Sequence, residues 1–170
     1  MKFIFVPMMC IALCCAISCK KGTDSSVTSP ILSPEITNAT NINNDALLKL
    51  VNDTRLAGCN CGTTAMPPVA ALTWNVNLAS VAIGHSKYMA SIKTLKHESA
   101  DGKMVGDRVK PVYNWVAVGE NIAAGQTTEA QVVNDWIKSE SHCKVLMSAN
   151  YKEMGAAKTD TYWVQIFAAK

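Results

Sequence analysis

The chain has 170 residues, 49% of them hydrophobic and 17% charged. That is room for one ordinary domain with its own core, and it excludes a wholly disordered or collagen-like chain. The net charge is only +3 and no basic run exceeds Lys20-Lys21, so the sequence lacks the basic patch of a nucleic-acid binder.

Lys2 precedes an apolar run from Phe3 to Ile17, shorter than the roughly 20 residues that a helical membrane span needs. A basic start, a short apolar stretch and small residues at its end describe a secretory signal over residues 1–18. Ala16-Ile17-Ser18-Cys19 resembles a bacterial lipobox, with Ala16 where Leu is usual. Lipid on Cys19 would anchor the chain to a membrane without spanning it. Residues 19–43 are rich in Ser, Thr, Asn and Pro and keep no helical or strand period, which reads as a flexible tether. The folded domain is expected over residues 44–170. Four of the seven cysteines lie in the first 19 residues. The remaining Cys59, Cys61 and Cys143 are too few to staple a disulfide scaffold, so the fold must rest on its apolar core.

A helix capped by Asn44 or Asp45 is expected to run to about Ala57, with Leu47, Leu50 and Val51 on one face. Gly58-Cys59-Asn60-Cys61-Gly62 reads as a turn-rich loop. A second helix, capped by Asn75 or Asn77, carries Leu78, Val81, Ala82, His85, Tyr88, Met89 and Ile92 at helical spacing over four turns. Residues 93–115 read as an ordered loop with a helical turn near Gly106–Val109. Trp115–Ile122 reads as a strand entering a Gly119-Glu120-Asn121 step. Thr128 and Gln131 form a capping box for a helix through Val133, Trp136 and Ile137. A short piece follows to Met147. Strands at Glu153–Lys158 and Tyr162–Phe167 close the chain, with Thr159-Asp160-Thr161 as the hairpin turn. Helices around a small antiparallel sheet point to an α+β or α-β-α layered domain.

Three histidines could do chemistry. His85 falls on the apolar face of the second helix and reads as a hydrogen-bonded core residue. His97 and His142 fall in polar, turn-rich segments of the kind that present side chains to ligands. No HExxH, CxxC or GxSxG signature is present, and Ser86 and Ser99 carry no nucleophile context. Gly106-Asp107-Arg108 reads as a loop-ordering segment.

Several ordered motifs then come into view. They are Trp74-Asn75-x-x-Leu78 with Ala82-x-x-His85-Ser86-x-x-Met89; His97 with Asp101-Gly102 and Gly106-Asp107-Arg108-Val109; and Val118-Gly119-Glu120-Asn121-Ile122-Ala123. Trp136-x5-His142, Leu146-Met147-x-x-Asn150-Tyr151-x3-Gly155 and Tyr162–Phe167 complete the set. Together they resemble the CAP superfamily (cysteine-rich secretory, antigen 5 and pathogenesis-related proteins), in its bacterial SCP-domain branch, over residues 44–170. The resemblance implies a three-layer α-β-α sandwich around a central antiparallel sheet, and a cleft lined by two histidines and one or two acids. His97 and His142 match the family histidines and Glu120 the acid of the Gly-Glu-Asn step. In relatives the two imidazoles bind a divalent metal, often zinc, with the acid behind them. Two nitrogens alone imply weak, pH-dependent binding.

The second family acid falls at Ser139 in this chain. Its neighbour Glu140 either substitutes for it or points to solvent. In an exported, oxidising setting Cys143 is expected to bridge to Cys59 or to Cys61. A zinc knot of Cys59, Cys61, Cys143 and His142 is the alternative. For function, the resemblance favours a non-enzymatic envelope module, with a membrane reached through the lipid anchor, a small ligand or envelope component as partner, and no nucleic acid. A metal- or His-assisted hydrolase with Glu120 as base, and lipid or sterol carriage, are the alternatives.

Overall fold

In the computed structural model, the described residues are 39–170. The expected signal segment 1–18 and the lipidation site Cys19 lie outside them, as does most of the expected tether. Its last residues are not a tether. Thr40 is fully buried, its carbonyl accepts from the Lys158 amide at 2.8 Å, and Asn41 Nδ2 donates to the Lys158 carbonyl at 3.0 Å. The domain therefore begins a few residues earlier than expected.

Helix α1 spans Asn44–Ala57 and is capped by Asn43, whose side chain accepts from the Ala46 amide. The expected cap, Asn44, sits inside the helix and is buried, with its Oδ1 accepting from Thr40 Oγ1 at 3.0 Å. Leu47, Val51 and Arg55 form its buried face at a spacing of four residues. The expected loop after α1 is a hairpin, β1 (Cys59–Cys61) against β2 (Thr64–Met66). It is allowed by a Gly62-Thr63 turn in which Gly62 takes φ +60°. Strand β3 is the two residues Thr73–Trp74. Helix α2 (Val76–Ile92) follows, and Asn75 caps it by accepting from the amides of Asn77 and Leu78. Its buried stripe holds Leu78, Ala82, His85 and Met89, while Ile92, expected in that stripe, is exposed.

Helix α3 is one turn, Val105–Val109. Strand β4 spans Ala117–Ala124, helix α4 Glu129–Lys138 and helix α5 Glu140–Leu146. Thr128 caps α4 as expected, but the Gln131 side chain reaches back to Thr127 and not to Thr128. Strands β5 (Glu153–Thr159) and β6 (Tyr162–Ala169) form the closing hairpin. Asp160 supplies its positive φ.

The sheet order is β3-β5-β6-β4. β5, β6 and β4 are antiparallel, as expected, but β3 runs parallel to β5, with Thr73 opposite Glu153 and Trp74 opposite Met154. Strand alternation sends Trp163 and Phe167 of β6 to one face and Val164, Ile166 and Ala168 to the other. The first face packs on α1, α4 and α5 through Leu47, Val51, Val132, Trp136, Cys143 and Leu146. The second packs on α2 and α3 through Leu78, Ala82, Met89 and Val109. The α+β, three-layer α-β-α architecture follows from two apolar faces on one sheet. Among the described residues no helix is long and apolar enough to cross a membrane.

One buried charge ties the first layer together. Arg55 is fully buried and donates from Nε to the Ala70 carbonyl at 2.9 Å, and from Nη1 to the carbonyls of Leu146 at 2.6 Å and Ser148 at 3.0 Å. Burial without a carboxylate pulls its pKa down from the ordinary arginine value.

Candidate functional site

The site grows from β4, the free edge of the sheet. Successive residues point to opposite faces of a strand, so Glu120 is sent toward the α2 layer and Asn121 toward α5. Each then fixes one histidine. The Glu120 side chain is 1% exposed and both its oxygens are occupied. Oε1 accepts from Arg108 Nη2 and Oε2 accepts from His97 Nδ1 at 2.7 Å. Arg108 also donates through Nη1 to the carbonyls of His97 at 2.7 Å and Lys103 at 2.8 Å. The guanidinium thus orders the long loop and neutralises the buried carboxylate at once. With Nδ1–H donating to the carboxylate, the other ring nitrogen of a neutral imidazole, Nε2, carries the lone pair. The His97 side chain is 46% exposed.

His142 sits on the first turn of α5. Asn121 Nδ2 donates to its backbone carbonyl at 3.2 Å, and its Nδ1 lies 2.9 Å from Ser139 Oγ. Burial, and then the nearby His97, lower the pKa of His142. A cleft of about 270 Å³ opens beside His142, lined by Leu95, Ile122, Trp136, Asp135, Ser139 and His142 and by Ala123, Ala124 and Gln126, but not by His97 or Glu120. Asp135 is an acid that the sequence reading missed. It lies one turn before Ser139 on the same helical face, a spacing that could have revealed it, and it accepts from Gln126 Nε2 at 2.8 Å. Glu140 is not among the lining residues. It pairs with Lys144 at 2.5 Å, half exposed, and its carboxylate covers the Gly62 turn.

His85 is buried and close to the same group. Its Nε2–H donates to the Lys96 carbonyl at 2.8 Å, which pins the residue before His97. Burial is the main cause of its lowered pKa, with Glu120 acting in the opposite sense. It is a core histidine that positions the loop.

The donor set for a metal is two imidazoles with a carboxylate behind one of them. Among the described residues, the group of three potential ligands lying within 4.8 Å of one another is Cys59, Cys61 and Cys143, not the histidines with Glu120. Of those sulfurs, Cys61 and Cys143 are joined to each other, with Cα atoms 5.4 Å apart, and Cys59 is the free thiol. This decides between the two expected pairings. A zinc knot would need both bridged sulfurs as thiolates, so the bridged form does not provide one.

The cysteine-rich secretory protein (CAP) family description matches residues 48–167, a span that takes in most of α1, all of the sheet but the last two residues of β6, the cleft and both histidines. The chain belongs to the CAP family. Over 100 residues, 58% of this chain, it is 31% identical to the uncharacterized membrane protein YlbC of Bacillus subtilis. Over 59 residues it is 36% identical to the uncharacterized protein YkwD of the same organism. This CAP chain spans 29% and 23% of those curated relatives. Among solved structures, an extracellular SCP-domain protein from Bacillus anthracis superposes with a TM-score of 0.69 at 28% identity, covering 84% of this chain and 45% of that one. An outer surface protein of Borrelia burgdorferi superposes at 0.64 with 19% identity, covering 74% and 91%; that likeness is one of fold.

Proposed function

We propose that this CAP domain is exported, is tethered to a membrane of the cell envelope through lipid on Cys19, and uses His97 and His142, at and beside the cleft, to bind a small ligand or a divalent metal without turning it over. The observation that carries the reading is the full occupation of Glu120. With one oxygen on Arg108 and the other on His97, the carboxylate positions an imidazole and is not free to take a proton from water. His97 and His142 would hold the ion, which would act as an electrophile toward a ligand carrying oxygen or nitrogen donors.

Zinc titration by calorimetry on residues 20–170 tests this. The expected result is one-to-one binding at pH 7.5 that weakens at pH 5.5, as protons compete for the imidazoles, and disappears in His97→Ala/His142→Ala. Heat indistinguishable from the double variant sinks the metal. Export and anchoring draw support from the leader, from the extracellular B. anthracis relative and from the membrane protein YlbC. Incorporation of a clickable fatty acid in cells, lost in Cys19→Ala, is expected. An unlabelled wild type ends the anchor.

One contact favours a hydrolase as the second reading. Ser139 Oγ lies within hydrogen-bond reach of His142, the pairing that activates a hydroxyl nucleophile. The same hydroxyl lies 3.4 Å from Ser141 Oγ and its residue caps α5. Covalent labelling by a fluorophosphonate, abolished by Ser139→Ala, would replace the first reading with this one.

A further inference from the structure

The hairpin β1–β2 carries chemistry that the cleft does not use. Cys59 and Cys61 are two apart on one strand, so their side chains leave on the same face. That face meets α5 at Cys143. The bridge joins Cys61 to Cys143, and the free Cys59 Sγ lies 3.6 Å from Cys143 Sγ. That separation is close to the roughly 3–3.5 Å of a near-attack arrangement. Cys61 and Cys143 are fully buried, whereas Cys59 is half-buried. It also lines an open groove of about 410 Å³, together with Gly58, Asn60, Met66, Pro67 and Pro68. One thiol is thus reachable from outside and touches a disulfide that is not.

We propose that Cys59, Cys61 and Cys143 form a thiol–disulfide exchange site, entered through the Cys59 groove by a low-molecular-weight disulfide. In the internal step Cys59 loses its proton to water, and its thiolate attacks Cys143 Sγ. The Cys59–Cys143 bond forms as the Cys61–Cys143 bond breaks, and Cys61 leaves as a thiolate that takes up a proton. The number of disulfides is unchanged, so no oxidant or reductant is consumed. In the external step the Cys59 thiolate attacks R–S–S–R, forming Cys59–S–S–R and releasing R–S⁻. The mixed disulfide holds the Cys61–Cys143 pairing in place by removing the competing thiol. Burial pushes the Cys59 thiol up, so the site rests near neutrality. Exchange should speed up by roughly tenfold per pH unit while the thiolate fraction is small.

The full chain is held at pH 8.5 without reductant, quenched in acid with N-ethylmaleimide, digested and mapped by fragmentation mass spectrometry. Mapping separates Cys59 from Cys61, and both from the four cysteines of residues 1–19. The expected label falls on Cys59 and on Cys61 in wild type. With oxidised glutathione added as the oxidant, which is released as two glutathione thiols, Cys61→Ser is expected to form a bridge between Cys59 and Cys143; without it, Cys59→Ser is expected to keep the native bridge with no label on Cys61. Label confined to Cys59 in wild type, or two free thiols side by side in Cys61→Ser after treatment with oxidised glutathione, overturns the internal step. Incubation with oxidised glutathione should add one glutathione at Cys59, absent in Cys59→Ser. An unmodified Cys59 overturns the external step.

Discussion

Glu120 shows how much of the site one buried side chain organises. Its carboxylate is out of water and depends on Arg108 and His97 for its hydrogen bonds. Removing it leaves a guanidinium only 9% exposed without its acid. Glu120→Ala should therefore cost about 3 kcal/mol in urea unfolding, and Glu120→Gln distinctly less because the amide oxygen still accepts. Both should weaken zinc binding by freeing the His97 ring. Equal stability of wild type and Glu120→Ala would show that the pair is dispensable. His97, Glu120 and His142 were legible through ordered motifs, because the order of motifs along a chain survives in sequence. Arg55 was not. Its spacing continues the apolar face of α1, but its partners are carbonyls 15, 91 and 93 residues away, and backbone acceptors leave no residue-type signal. The choice between Cys59 and Cys61 was hidden for a related reason. Both sit on one strand face, and only the depth at which α5 packs decides which sulfur is met.

At the scale of elements, α2 was read correctly because four turns of apolar spacing are a strong signal, and its cap, Asn75, was one of two candidates two residues apart. The short pieces were harder. β3 has two residues and exists because the chain passes beside β5, so no local pattern marks it. The β1–β2 hairpin has three residues a side, too few to show alternation. The contact of α2 with β5 depends on Gly155, where a Cβ would fall on the backbone of Leu78 and Ala79. Gly155→Ala must push the helix away, so a loss of about 3 kcal/mol is expected from chemical denaturation. A variant as stable as wild type would mean that α2 can ride higher on the sheet than described.

For the whole molecule, the buried His85 and the half-buried His142 make stability depend on pH. The pKa values of His85 and His142 are lowered in the folded state, chiefly by burial. Unfolding raises them toward about 6.5, so the unfolded chain takes up protons first. Their contribution is fully present above that value and is lost as pH falls through the lower folded values. The urea midpoint should drop between pH 7 and pH 5, and His142→Gln should flatten part of the drop. A midpoint that rises on acidification would contradict the lowered pKa values of both rings.

The bridge between Cys61 and Cys143 has a topological consequence. Everything between those residues, from the Gly62 turn through β3, α2, α3, β4 and α4, is a covalently closed ring. The longest run of exposed residues among those described, 91–97, lies inside that ring, as does the exposed run 100–104. A single peptide cut there opens the ring without dividing the molecule. The nicked protein keeps both halves of its cleft on one covalent framework until the disulfide is reduced. A proteolytic cut in this exposed loop therefore leaves the domain in one covalent piece.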